Sequence, residues 1–272
     1  MNRTAWTYFA AQRWAQKALR DSSVDPAAPQ FLLEQRHNWD TTHLLLHNRD
    51  LMPADEQEWF EEAVQQLLKD VPAQYIVGKT TFYGRPFRVT RDVLIPEPET
   101  AELVDWVLAT VKDTAPLKVL DLGTGSGVIG ITLALEVARE NADRLGAKVR
   151  TVTSDLFDQL AGARFDLIVT NPPYIDPAAK DKMDRAVLEY EPPLALFADE
   201  HGLGFYHRLF TQVGAHLTAD GQVFAETGYD QEDSIQELLK RCDKNATITV
   251  RHDVADKMRM MHAWDFSGAG GN

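Results

Sequence analysis

A single cysteine, Cys242, leaves this 272-residue chain with no possible internal disulfide and no multi-cysteine metal site. Long apolar runs are missing as well, and none approaches the ~20 residues that span a bilayer. The first twenty residues set Trp6, Phe9, Ala10, Arg13, Trp14 and Lys17 at helical spacing with charge between them. That is not the unbroken apolar core of a leader peptide. Positive charge is scarce: 28 Lys and Arg face 41 Asp and Glu, a formal net charge of -13. Gripping nucleic acid by its phosphates requires a basic face, and no Lys/Arg cluster supplies one. No internal repeat or low-complexity tract is present, and only the tail Gly268 to Asn272 reads as disordered. These absences point to a cytoplasmic enzyme with neither a membrane nor a nucleic-acid partner; a monomer is the expectation for its assembly.

What is present is ordinary globular material, 44% hydrophobic and 25% charged, enough for one large domain or a medium and a small one. The first seventy residues read as helices. Asp25-Pro26 resembles an N-cap with proline at the first helical position, ahead of Phe31, Leu32 and Leu33. Thr42 is placed to cap the run Leu44 to Leu46. After Pro53, Asp55, Glu56 and Glu58 favour a helix start, and Trp59, Phe60, Ala63, Val64, Leu67 and Leu68 follow at spacings of three and four. The stretch Thr80 to Thr90 has two β-prone runs around Gly84, a hairpin signal. From Lys118 on, short apolar runs alternate with helical segments. The candidate strands are Val119 to Asp121, Val149 to Thr153, Phe165 to Thr170, Gln222 to Glu226 and Ala246 to Val250. Such alternation predicts an α/β, Rossmann-like domain built on a mostly parallel sheet. The expected organisation is a helical bundle over 1–72, a linker with the hairpin over 73–97, and the α/β domain over 98–272.

Two motifs carry chemistry. Gly123-Thr124-Gly125-Ser126-Gly127 follows the first predicted strand of the α/β domain and opens an apolar helix. Glycines at alternate positions let the backbone turn sharply and approach a ligand closely, and the first βα turn of such a sheet is where nucleotide-like cofactors bind. The spacing is neither that of a dinucleotide fingerprint nor that of a phosphate loop, which argues for an adenosyl cofactor without phosphates. A bare tight turn is the competing explanation.

Asn171-Pro172-Pro173-Tyr174 follows the strand Phe165 to Thr170. Consecutive prolines cannot continue a ladder, so the chain leaves the sheet stiff and extended. The Asn171 side-chain oxygen and the Pro172 carbonyl can accept both hydrogens of one NH2 group, and the Tyr174 ring can lie on a planar substrate. An amide or aromatic amine is a poor nucleophile, so holding its lone pair on line with a sulfonium methyl is the main catalytic task. Taken alone, Asn-Pro-Pro is as often a simple turn.

At these motifs the chain resembles the PrmC/HemK family of N5-glutamine methyltransferases acting on class-one peptide-chain release factors. The likeness extends over roughly Ala73 to Trp264, through Tyr75 to Gly78, Phe82-Tyr83-Gly84, Leu94-Ile95-Pro96, Pro98-Glu99-Thr100, Ser154 to Phe157, Glu191-Pro192 and Glu226 to Tyr229. The N-terminal helices are compatible with that family's substrate-recognition domain. The resemblance implies that Gly123 to Gly127 wrap the methionine part of S-adenosylmethionine and that Asp155 and Leu156 sit beside its adenine. It also implies that Asn171, Pro172, Pro173 and Tyr174 hold the glutamine of a Gly-Gly-Gln loop. Glu97 departs from the family, whose members usually carry arginine there. A larger departure is a missing second strand, which in the family ends in an acid that binds the ribose hydroxyls.

Only 27 residues separate Gly127 from Asp155, whereas two helices and two strands with their loops need roughly 40 to 45. The sequence therefore predicts a join near Glu136-Val137. A helix should end at Leu135 and another run from Val137 to Leu145, with the two Cα atoms at the join much farther apart than ~3.8 Å. His43 and His47 are four apart on one helix but lack a third metal ligand, so a plain pair is favoured. Asp181, Asp184, Glu189 and Glu191 read as a solvated acidic face. Three other functions compete: a glutamine methyltransferase of a ribosomal protein, an adenine-N6 DNA methyltransferase, and a non-catalytic binding module. The DNA enzyme would need a basic cleft and base flipping.

Overall fold

The computed structural model describes residues 5–111, 117–141 and 149–271. They divide into two units: residues 5–81 with 86–95 and 183–191, and residues 82–85 with the described parts of 96–182 and 192–271.

The first unit is helical: α1 (Tyr8–Ala18), α2 (Ala28–His37), α3 (Thr41–His47), α4 (Ala54–Leu67) and the short α5 (Ala73–Val77). Their apolar stripes meet in one core in which Leu32, Leu33, Phe60 and Val64 are fully buried. Each such side chain contributes ~1.5–3 kcal/mol by leaving water. The starts differ from the sequence reading in detail. Asp25 accepts a hydrogen bond from the Ala27 amide at 2.8 Å, so the chain turns once more before α2 begins at Ala28. At α3 the cap is Asp40, accepting from the His43 amide at 2.8 Å, and Thr42 lies inside the helix. His43 and His47 turn to different acids, Asp40 at 2.8 Å and Asp50 at 2.7 Å. Residues 183–191 join this unit as a helix, Arg185–Tyr190, capped by Asp184 and tied by the Tyr190 hydroxyl to the Lys69 carbonyl at 2.7 Å. Glu189 pairs with Arg185 at 3.3 Å.

A two-stranded hairpin, β1 (Lys79–Phe82) and β2 (Arg85–Arg88), turns through Tyr83 and Gly84 at φ 53° and 71°. Positive φ at both turn residues is what a two-residue hairpin requires.

The second unit carries a five-stranded sheet. Its strands are β3 (Val119–Leu122), β4 (Phe165–Thr170), β5 (Leu217–Glu226), β6 (Thr247–His252) and β7 (Met258–Trp264), in spatial order β3-β4-β5-β7-β6. The first three are parallel, and β7 is antiparallel to both β5 and β6. The main helices are α6 (Pro98–Thr110), α7 (Val128–Asn141), α8 (Gly204–Gln212) and α9 (Glu232–Cys242). The Rossmann-like expectation holds. The hairpin tip is anchored in this unit, where Tyr83 donates to Asp105 at 2.6 Å and Arg85 pairs with Glu136.

Three expectations about this unit are corrected. First, α7 runs unbroken across Glu136 and Val137, so no break lies at that bond. Ile129 and Leu133 face inward, Glu136 engages Arg85, and Glu136 to Glu140 is good helix material, so nothing stops the helix there. The rest of the expected second helix, residues 142–148, lies outside the described residues. Second, Val149 to Thr153 is not a strand, and Val149 and Val152 are exposed. Among the described residues β3 pairs only with β4 and forms the edge of the sheet. Without the second strand there is no ladder for Val149 to Thr153 to extend. Third, β7 was not among the expected strands. Its three methionines weaken the β signal, yet Met258, Met260 and Ala263 are buried with Arg259 and His262 between them.

Candidate active site

The site is built at the C-terminal ends of β3 and β4. In their parallel register Leu122 is level with Thr170. The Thr170 hydroxyl donates to the Leu122 carbonyl at 2.8 Å, fastening the two ends together. Gly123 and Asn171 are therefore the next residues on neighbouring strands, which lie ~4.8 Å apart in a sheet.

Gly123, Gly125 and Gly127 have φ of 68°, 51° and 84°, values that L side chains rarely adopt. No atom lies within 4 Å of a Cβ built on Gly123, so the outer side of the loop is open to a ligand. Thr124 is exposed and Ser126 half-buried. Thr124 donates to Asp121 Oδ2 at 2.9 Å and the Gly130 amide to the same oxygen at 2.8 Å. The other oxygen, Asp121 Oδ1, is buried without a hydrogen-bond partner among the described residues. Burial pushes this carboxyl up to about 6 against those two hydrogen bonds. An open glycine loop beside an orphaned carboxylate oxygen fits the methionine end of S-adenosylmethionine, whose ammonium group needs an acceptor.

The two residues expected at the adenine lie just before and within the core of this unit. Asp155 is paired with Arg208 at 2.8 Å, and Leu156, at φ 46°, belongs to the core.

Asn171 is half-buried, and its Nδ2 donates to the Thr100 hydroxyl at 3.0 Å. That leaves Oδ1 to accept from an incoming group. Pro172 is buried, and Pro173 and Tyr174 are half-buried. The Tyr174 hydroxyl donates to Glu226 Oε1 at 3.1 Å and its carbonyl accepts from Gln231 Nε2 at 3.0 Å. Just beyond, Ile175 is bonded on both sides to the 196–198 segment, which keeps the exit extended.

Sequence reading missed the residues behind the motif. Glu226, at the end of β5, is fully buried and accepts from Thr100 at 2.7 Å as well as from Tyr174. Burial pushes its carboxyl up to about 7. The Tyr206 hydroxyl donates to the Glu226 carbonyl at 2.5 Å. Thr100 and Glu226 lie in stretches that carry the family resemblance, but nothing in either stretch announces that they touch. The departure at Glu97 also finds a place. Its carboxyl is raised by burial and by Glu99, and the opposing cation is Arg259 of β7, 4.0 Å from Glu99.

A mostly parallel sheet with this loop and this amide-bearing strand end defines an S-adenosylmethionine-dependent methyltransferase. Comparison with known proteins narrows the class. The PrmC N-terminal domain matches residues 10–78 and the methyltransferase small domain matches residues 132–189. Proteins named release factor glutamine methyltransferase align along most of the chain. The one from Enterococcus faecalis is 37% identical over 93% of this chain and 97% of its own length. The Bacillus subtilis protein is 34% identical over 94% and 97%, and that of Koribacter versatilis 38% over 81% and 85%. The chain belongs to the release factor glutamine methyltransferase family.

Proposed function

We propose that this protein transfers a methyl group from S-adenosylmethionine to N5 of the glutamine in the Gly-Gly-Gln loop of class-one peptide-chain release factors, acting as a cytoplasmic monomer. The observation that carries the reading is the setting of Asn171. Its nitrogen is committed to Thr100 and its oxygen is left for a donor, one register step from the glycine loop. Asp121 and Gly123 to Gly127 hold the methionine end of the cofactor. When bound, S-adenosylmethionine supplies an electrophilic methyl group. Asn171 Oδ1 and the Pro172 carbonyl accept the two N–H groups of the glutamine, turning its nitrogen toward that methyl. Tyr174 backs the amide plane. No side chain has to act as a strong base, because the alkylated nitrogen becomes acidic and loses its proton to water afterwards. Orientation of this kind is worth several kcal/mol.

The residues between Gly127 and Asp155 are few, so the test begins with calorimetric titration of S-adenosylmethionine. Binding is the expected result, and its absence would favour the non-catalytic module. Transfer of radiolabelled methyl to release factor, ribosomal protein and duplex DNA is then measured side by side. Label should enter the release factor and vanish when its target glutamine is replaced by glutamate. Faster labelling of the ribosomal protein or of adenine would overturn the substrate assignment.

A further inference from the structure

Glu226 holds both ends of the Asn171-to-Tyr174 motif with its two oxygens. Oε1 accepts directly from Tyr174, and Oε2 accepts from Thr100, which in turn accepts from Asn171 Nδ2. The order of donors in this chain has a consequence. An ionised carboxylate can only accept, so the single hydroxyl hydrogen of Thr100 must point at Glu226. The lone pairs of Thr100 then face Asn171, and only an N–H can meet them. The amide is thereby held with nitrogen inward and oxygen outward. A protonated Glu226 can instead donate to Thr100 and free the hydroxyl hydrogen for Asn171 Oδ1. The amide would turn over and present NH2 to the NH2 of the substrate, donor against donor.

We infer that Thr100 and Glu226 are positioning residues that set which end of the Asn171 amide meets the substrate. The inference rests on the proposed role of Asn171 as acceptor. Thr100 is 2% exposed and Glu226 is 0% exposed, so water does not compete for either place in the relay. The titratable and charged groups around Glu226 are Glu97 and Glu99 at the start of α6, Tyr174 beyond β4, Tyr206 on α8 and Arg259 on β7. Burial and the two glutamates favour the neutral acid, and the hydrogen bonds from Thr100 and Tyr174 favour the carboxylate. The acceptor orientation is therefore complete above the Glu226 pKa of about 7 and is lost as pH falls through it.

The experiment compares wild type, Thr100→Val, Thr100→Ser and Glu226→Gln on intact release factor between pH 5.5 and 9. Melting temperature and cofactor affinity are recorded alongside. Thr100→Val keeps the shape and removes the hydroxyl. Its kcat should fall by about tenfold or more, with both KM values changed less than about threefold. Thr100→Ser, which restores the hydroxyl, should recover most of that loss. Wild-type kcat should show an acid limb that Glu226→Gln lacks. Equal losses in the valine and serine variants, or full kcat in the valine variant, would overturn the relay. The side-chain amide 15N resonances of Asn171 give a reading that needs no turnover. They should move in Thr100→Val and stay near wild type in Thr100→Ser. If wild type fails to methylate release factor, the substrate assignment falls while these resonances still decide the relay, and unmoved resonances would sink it.

Discussion

A Cβ built on Gly202 would stand 2.1 Å from the carbonyl oxygen of Tyr174. It would also lie 2.7 Å from the Gln231 nitrogen that donates to that carbonyl, and Gly202 itself sits at φ 84°. Position 202 thus admits no side chain while Tyr174 stays where it is. Gly202→Ala should cost about 1–3 kcal/mol of stability, from strain at positive φ and displacement of the half-buried hydrogen bond to Tyr174. Its kcat should fall at least tenfold even at temperatures where the variant is folded. Thermal melts together with assays well below the melting point check both halves. A folded, fully active variant would mean that the exit of the motif need not be held.

Asn171→Ala removes an acceptor that is aimed at the reacting nitrogen, so its loss should appear in the chemical step. A drop of about two to three orders of magnitude in kcat is expected, comparable to the removal of one oriented hydrogen-bonding group elsewhere. S-adenosylmethionine affinity should change by less than about threefold. Single-turnover kinetics beside calorimetry separate the two quantities, and near-normal turnover would remove Asn171 from the mechanism.

Asp121 offers a test by pH. Its carboxyl is pushed up to about 6, so the charged form that attracts the cofactor's ammonium group prevails above that value and gives way below it. Affinity for S-adenosylmethionine should therefore weaken as pH falls from 8 to 5. The effect on stability has the opposite sign. An acid whose pKa is raised by burial favours the folded state at low pH, and that contribution is lost as pH rises through about 6. Asp121→Asn should flatten both dependences and weaken binding about tenfold at pH 8, or ~1.4 kcal/mol. Titrations across that range suffice, and an unchanged affinity in the variant would rule the contact out.

Local signals in the sequence were read correctly where the physics is local. The glycine spacing, the double proline and the three-four spacing of Trp59 to Leu67 each determine backbone geometry within a few residues. Val149 to Thr153 failed because β-branched residues form a strand only beside another strand; the missing second strand was legible in the residue count, but its consequence for Val149 to Thr153 went unread. The stretch around Glu136 failed for a related reason: too few residues were present for the usual elements, and the chain answered with a longer helix instead of a gap. Thr100, Asn171 and Glu226 were invisible as a group because their contacts join α6, the end of β4 and the end of β5, elements far apart along the chain. Donor and acceptor matching of that sort becomes apparent only once the sheet order is known.

The edge position of β3 carries a dynamic consequence. A central strand of a parallel sheet must shed two ladders before it can open, whereas β3 has one to lose among the described residues. Its amides alternate between the β4 side and the open side, so slow and fast hydrogen exchange should alternate along Val119 to Leu122. Even its slow amides should exchange sooner than those of β4, which has neighbours on both sides. The strand that presents the cofactor loop, one of the two edges of the sheet, would then breathe more readily than β4, and S-adenosylmethionine would act as its clamp. Exchange measured with and without cofactor should show the largest gain in protection at β3 and the first turn of α7, and little change in β6 and β7.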